Sequence, residues 1–222
     1  MAYTTIDDGS AHFHAQTYTG NGSSGHSITN NANAGDFKPD WLIIKPLSSG
    51  DNSVVFDSTR TSNKRLKANS SDAEDSDGTA QVTFESDGFD LDTTDGNFNG
   101  NGTTYVAWQW KCNGGTTSTN NDGSVAVTLQ TSSDAGFSIG TFTGTGNSSG
   151  TIGHGLGAKP DWLIVKRRDG SENWNNIFAN VDSKLLRLNT NGGSFTGSAI
   201  NSVGASTFTD GNGNNAVFYA FK

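Results

Sequence analysis

Lys38-Pro39-Asp40-Trp41-Leu42-Ile43-Ile44-Lys45 returns as Lys159-Pro160-Asp161-Trp162-Leu163-Ile164-Val165-Lys166, with Ile44 exchanged for Val165. The eight residues read as the approach to a strand and then its body. Proline fixes its own φ and pushes Lys38 and Lys159 towards extended geometry. The apolar run after the tryptophan does not alternate, which is the pattern of a strand covered on both faces, and the closing lysine is expected in water. A core strand written twice implies two units built around it.

Working outward, Phe13 to Gly20 is matched by Phe137 to Gly144, and Gly22 to Gly25 by Asn147 to Gly150. Val55-Phe56 aligns with Ile177-Phe178, Asp57-Ser58 with Asp182-Ser183, and Leu66 to Asn69 with Leu186 to Asn189. Val106 to Lys111 aligns with Val217 to Lys222, and Val125 to Leu129 takes the role of Ala2 to Ile6, itself strand-like. Gln81-Val82-Thr83-Phe84 and Gly88-Phe89-Asp90-Leu91 read as a hairpin around Glu85-Ser86-Asp87. The second unit is shorter and reads as lacking this hairpin and most of the acidic loop Ser70 to Gly78. No segment keeps a 3.6-residue apolar period, so no substantial helix is expected. The expected fold is all-β: two tandem antiparallel β-sandwich, jelly-roll-like repeats, 1–111 and 124–222, joined by a Gly/Thr/Ser/Asn linker, 112–123.

Composition narrows the function classes. Hydrophobic content is only 32%, but 13 Phe and 5 Trp supply large buried areas and argue against disorder despite 29 Gly. A net charge of −8 repels phosphate backbones and anionic membranes, so neither nucleic acid nor a membrane is an expected partner. Cys112 stands alone, so no intrachain disulfide can form. Met1 to Thr5 has neither basic start nor apolar run, so no signal peptide is expected, and no apolar stretch approaches the ~20 residues of a bilayer span.

Catalytic candidates are few. Glu85 and Asp87 would share a strand face and partly resemble the paired acids of jelly-roll glycanases, but the last acid of that pattern is missing and Gly88 suggests a turn. A solvated hairpin tip is the plainer account. Asp72, Glu74, Asp75 and Asp77, and then Asp87, Asp90, Asp92 and Asp95, are dense enough for calcium but do not fit its loop pattern; they read as acidic loops. His12 and His14 offer two zinc ligands without an evident third, and a polar surface strand accounts for them. Gly153-His154-Gly155-Leu156-Gly157 has a phosphate-loop look, but proline and a strand follow instead of a helix, so it reads as a turn. Among Trp108, Trp110, Trp174, Tyr18 and Tyr105, Trp174 sits in a polar, loop-like setting and is the expected exposed glycan or partner contact. No catalytic residue and no cofactor is assigned, and metal binding is left open.

The ordered set Tyr18-Thr19-Gly20-Asn21-Gly22, Pro39-Asp40-Trp41, Asp57-Ser58-Thr59-Arg60, Phe84 to Phe89 and Tyr105 to Lys111 resembles a repeat of virion structural proteins of tailed phages, notably marine cyanophages. Ile152 to Pro160 is similar to another version of it, and the resemblance covers nearly the whole chain, with Lys45-Pro46-Leu47 as a departure. The repeat carries no assigned activity, so no site residue comes with it. The resemblance implies a non-enzymatic virion surface protein made in the host cytoplasm: a fibre, tail adhesin or capsid decoration. Its expected partners are other virion proteins, further copies of itself as a homo-oligomer, and host glycans. A jelly-roll glycan hydrolase and a soluble lectin are the alternatives.

Overall fold

The computed structural model describes residues 8–31, 36–76, 78–147, 149–178, 184–196, 200 and 202–222. The expected strand at Tyr3 to Ile6, Asp77 of the acidic loop and the Asp182-Ser183 match lie outside them. The described residues form an all-β protein of antiparallel sheets. They fall into two compact units, Met1–Ala68 with Asp75–Gly115, and Asn69–Glu74 with Thr116–Lys222.

The first unit holds β1 (Phe13–Thr19), β2 (His26–Thr29), β3 (Trp41–Pro46), β4 (Val54–Asp57), β5 (Lys64–Lys67), β6 (Asp75–Ser76), β7 (Val82–Glu85), β8 (Gly88–Leu91) and β9 (Thr104–Trp110). Its large sheet runs β1-β9-β3-β4-β5-β6, and its small sheet runs β2-β8-β7. The two layers close on Leu42, Ile44, Val54, Phe56, Tyr105 and Ala107 from one side and Ile28, Val82, Phe89 and Leu91 from the other. A single helical turn, Gly96–Asn99, adds Phe98 to that core. The β7–β8 hairpin forms as expected, with Glu85 paired to Gly88. Gly88 is required there: its φ is +111°, and a Cβ would meet the Ile28 carbonyl oxygen at 2.2 Å.

The second unit holds β10 (Ser118–Asn120), β11 (Val127–Ser132), β12 (Phe137–Thr143), β13 (Thr151–Gly153), β14 (Trp162–Arg167), β15 (Asn175–Phe178), β16 (Lys184–Arg187), β17 (Phe195–Thr196), β18 (Thr207–Thr209) and β19 (Asn215–Phe221). Its large sheet runs β10-β11-β12-β19-β14-β15-β16-β17. From β12 onward this is the strand order of the first unit, with β10 and β11 added at one edge. The core includes Val127, Leu129, Leu163, Val165, Phe208 and Phe218. One exchange of volume separates the two cores. Gln16 faces Ala107 across β1 and β9, whereas Gly140 faces Phe218 across β12 and β19. A Cβ on Gly140 would lie 2.3 Å from the Phe218 ring, so the larger residue on one strand demands the smaller on its neighbour.

Four expectations need correction. The 112–123 stretch is not a free linker: Cys112 and Gly114 donate their N–H groups to Asp40, and Ser118–Asn120 pairs with β11. Those acceptors satisfy backbone that a linker would leave to water. The hairpin thought lost from the second unit persists in reduced form, because β18 pairs with β13 and Val203 bridges to Phe208. The alignment of Ile177-Phe178 slips by one residue: Trp41 pairs with Asp57 and Trp162 with Phe178, so Phe178 stands where Asp57 does. The two closing lysines also differ. Lys45 is exposed, but Lys166 is buried, its Nζ donating to the carbonyl oxygens of Ser71 and Arg167.

Candidate functional site

The acids of the repeat's motifs and the arginines near them are engaged in hydrogen bonds and ion pairs within the fold. Asp40 is fully buried and accepts hydrogen bonds from the Ser58 hydroxyl and from the N–H groups of Cys112 and Gly114, at 2.6 and 2.8 Å for the last two. It ties the start of β3 to the loop after β4 and to the chain leaving β9. Asp57 accepts the Thr59 and Arg60 N–H groups and pairs with Arg60 Nε at 2.6 Å, with both side chains fully enclosed. Arg65 is gripped by Asp75 and Asp95 and lies over the Phe98 ring. The Arg65 hydrogen bond holds the Asp75 carboxyl below its ordinary range.

The expected metal and acid candidates disperse. Glu74 is clamped by Arg168 at 2.7 and 3.0 Å, and Asp92 accepts the Thr83 hydroxyl. Among the described residues no three His, Cys, Asp or Glu side chains converge as a metal site would need. β7 ends at Glu85, so Asp87 lies in the turn and the two acids do not share a continuous strand. His14 is not on a surface strand face: it is buried on the core side of β1, cross-strand from Gln109. His154 is buried too, its Nδ1 accepting the Leu156 N–H while Nε2 faces the Gly204 carbonyl at 3.2 Å. The loop is a turn locked by an imidazole, and burial lowers that imidazole's pKa.

The Trp174 expectation is overturned. Its side chain is 1% exposed and lies parallel to Tyr219 with ring centroids 6.5 Å apart. The polar residues around it serve the backbone instead, since Asn189 Oδ1 accepts the Trp174 N–H and Asn176 Nδ2 donates to its carbonyl. Tyr18 and Tyr105 are also committed: Tyr18 donates to the Phe98 carbonyl, and Tyr105 donates to Gly96 and accepts from Gly100.

The aromatic surface lies on the other side of the first unit's large sheet. Alternation on β9 sends Tyr105, Ala107 and Gln109 into the core and leaves Val106, Trp108 and Trp110 half-buried on the outer face. β1 places Phe13, Ala15 and Thr17 beside them, all exposed, Phe13 by 40%. Trp110 is held between Phe13 and Trp41, at 4.9 and 4.4 Å between centroids. Trp108 differs. Its neighbours in register are Ala15 and Ile43, and among the described residues no ring packs against it. The indole is half-buried, with the small Ala15 side chain as its neighbour on β1 and the exposed Thr17 on the same face.

In the second unit the matching row is closed on itself. Phe137, Phe221, Trp162 and Phe178 stack in sequence at 4.5, 5.1 and 5.7 Å, with planes within 20°. Rings stacked on one another cover each other's faces, and Phe137 at one end is buried, so this ladder is cross-strand packing. An open hollow of about 200 Å³ in the same unit is lined by Thr128, Thr141, Thr143, Arg168 and Asn215. It offers hydroxyl and amide groups, and its ring, Phe142, is buried.

The chain belongs to the family described as a domain of unknown function (DUF7483). The family model matches residues 8–221, so one DUF7483 match spans both compact units. No curated protein and no solved structure matches the chain. Trp108 was among the aromatics weighed from the DUF7483 sequence. Its alternation on β9 was legible; that its neighbour on β1 is Ala15 was not, because no local pattern sets cross-strand register.

Proposed function

We propose that this DUF7483 chain is a non-enzymatic surface module of a tailed-phage virion, a fibre, tail adhesin or decoration protein that works as a homo-oligomer. It meets host glycans through the β1–β9 face around Trp108. The observation carrying this reading is the employment of the motif residues. Asp40 and Tyr105 belong to the phage-like motif set and each fastens one stretch of the chain to another, while the Asp57–Arg60 pair of the same set locks the turn that ends β4. A repeat whose signature residues hold sheets together is a scaffold, and what it presents outward is its surface. The half-exposed Trp108 and Trp110 beside Phe13 supply an aromatic face that pyranose rings can stack on.

Gold labelling of intact particles from the source tests location: label on head or tail is the expected result, and its absence removes the virion reading. A glycan array with wild type and Trp108→Ala tests the face. Binding lost in Trp108→Ala, with folding retained, supports it, and binding that survives refutes it. Oligosaccharide cleavage that disappears in Glu85→Gln would replace the whole proposal with a hydrolase.

A further inference from the structure

His154 and Asn30 stand at the same place in the two units. Each follows a short strand that adds an isoleucine to its unit's core, Ile152 on β13 and Ile28 on β2. Each donates its N–H to the chain beside it, His154 to the Ser206 carbonyl and Asn30 to the Asp87 carbonyl. Both side chains are buried, and they differ in chemistry. Asn30 donates its amide to the Phe37 carbonyl at 3.5 Å, and an amide does not titrate. The His154 ring joins two loops: Nδ1 accepts the Leu156 N–H at 3.3 Å, and Nε2 donates to the Gly204 carbonyl at 3.2 Å. Both bonds exist together in one form only, the neutral ring with its hydrogen on Nε2. A second proton can go only to Nδ1, where it would face the Leu156 N–H, donor against donor, in a site without exposure. The segments against the ring, 151–157 and 202–207, carry no acid or base besides His154. Burial holds the ring's pKa below its ordinary value, against the Gly204 carbonyl and the charge of Asp122 from the turn between β10 and β11, which favour the protonated form.

We propose that His154 is an acid-sensitive latch of the second unit. While its ring is neutral it fastens the turn at 155–157 to the loop ahead of β18. A proton on Nδ1 breaks the Leu156 bond and lets the two part, which loosens the β13–β18 layer over the core at Ile152 and Phe208. The first unit, with Asn30 in that place, has no such release. The unfolded or opened ring takes up its proton at about 6.5. The closed ring resists until a lower pH, so the open form gains on the closed one as pH falls below about 6.5. Asp210 acts in the opposite sense in the same unit. Burial pushes its carboxyl up to about 6, so the folded form takes up that proton first and is stabilised over the same fall in pH. The stability of the whole unit sums the two effects. The latch is therefore read as the difference between wild type and His154→Asn, which borrows the first unit's residue. It is independent of any virion role.

The test is amide hydrogen exchange of the full chain at about pH 7.5 and about pH 5, expressed as protection factors, for wild type and His154→Asn. In wild type, protection at Leu156 and along β13 and β18 should fall on acidification. The fall should reach up to about 30-fold, the limit when no proton enters the closed form until it opens. Protection along β2 and β8 should hold, and that layer is the reference within the same molecule should the variant not fold. In His154→Asn the acid loss at β13 and β18 should vanish or reverse, because Asp210 then acts alone. Wild-type protection at β13 and β18 that does not fall overturns the proposal. So does an equal fall in the β2–β8 layer, or an acid loss that persists undiminished in His154→Asn. Imidazole ¹⁵N shifts of wild type give a second reading: a buried ring carrying its hydrogen on Nε2 near neutral pH is expected, and the Nδ1–H tautomer at His154 would refute the latch.

Discussion

Asp40 and Asp161 occupy the same place in two copies of one motif, yet replacing them should have very different costs. Asp40 is fully buried and receives two backbone N–H groups and a hydroxyl. Asp161 is exposed; its N–H bonds to the Phe221 carbonyl, just as the Asp40 N–H bonds to Trp110. Alanine keeps those backbone bonds in both cases. Asp40→Ala, however, orphans the buried Cys112 N–H and weakens the fastening of Gly114 and Ser58. A hydrogen bond to a charged group contributes about 1.5–3 kcal/mol, and an orphaned buried donor costs about 1–3 kcal/mol. The hydroxyl and the Gly114 N–H recover part of their loss from water, so the sum is about 3–5 kcal/mol. Asp40→Asn keeps one acceptor but turns an amide NH₂ towards the remaining donors, for about 1–3 kcal/mol. Asp161→Ala should stay within about 0.5 kcal/mol of wild type. Urea unfolding followed by tryptophan fluorescence measures all three as shifts of midpoint at constant slope. An Asp40→Ala cost below about 1 kcal/mol, or equal to that of Asp161→Ala, would refute the argument that the buried carboxylate fastens this unit.

Trp174→Ala should cost about 3–5 kcal/mol by leaving a cavity against Tyr219, while any glycan binding by the folded fraction stays unchanged; calorimetry and an array check both. Gly140→Ala should destabilise by about 1–3 kcal/mol in the same urea assay, because the new methyl meets a fully buried ring 2.3 Å away. Burial lowers the Lys166 pKa to about 8. The unfolded chain holds that proton to about 10.4, so it binds more protons than the folded chain in between, and stability should rise with pH across that window. The slope of Tm against pH should be steeper in wild type than in Lys166→Met; identical slopes would show that burial does not shift this ammonium.

Much of the scaffold could be read from local pattern. The twice-written Pro-Asp-Trp strand, the alternation of β9 and the hairpin at Gly88 all depend on short-range periodicity and turn chemistry, and they formed where expected. Three of the failures share one cause. Trp174, the Asn113 to Gly123 stretch and Lys166 were each judged by the polarity of their own neighbours in sequence. Each is placed by a partner far along the chain: Trp174 by Tyr219, Cys112 and Gly114 by Asp40, and Lys166 by the Ser71 carbonyl.

The sequence by itself determined an all-β chain with a duplicated core strand, because period-two alternation, β-branched runs and glycine turns are properties of adjacent residues. Only the tertiary structure decided which acids are fasteners, which aromatics are core and which indole has an alanine beside it on the outer face. Those outcomes depend on cross-strand register, and register joins residues such as Ala15 and Trp108 that are far apart in the chain.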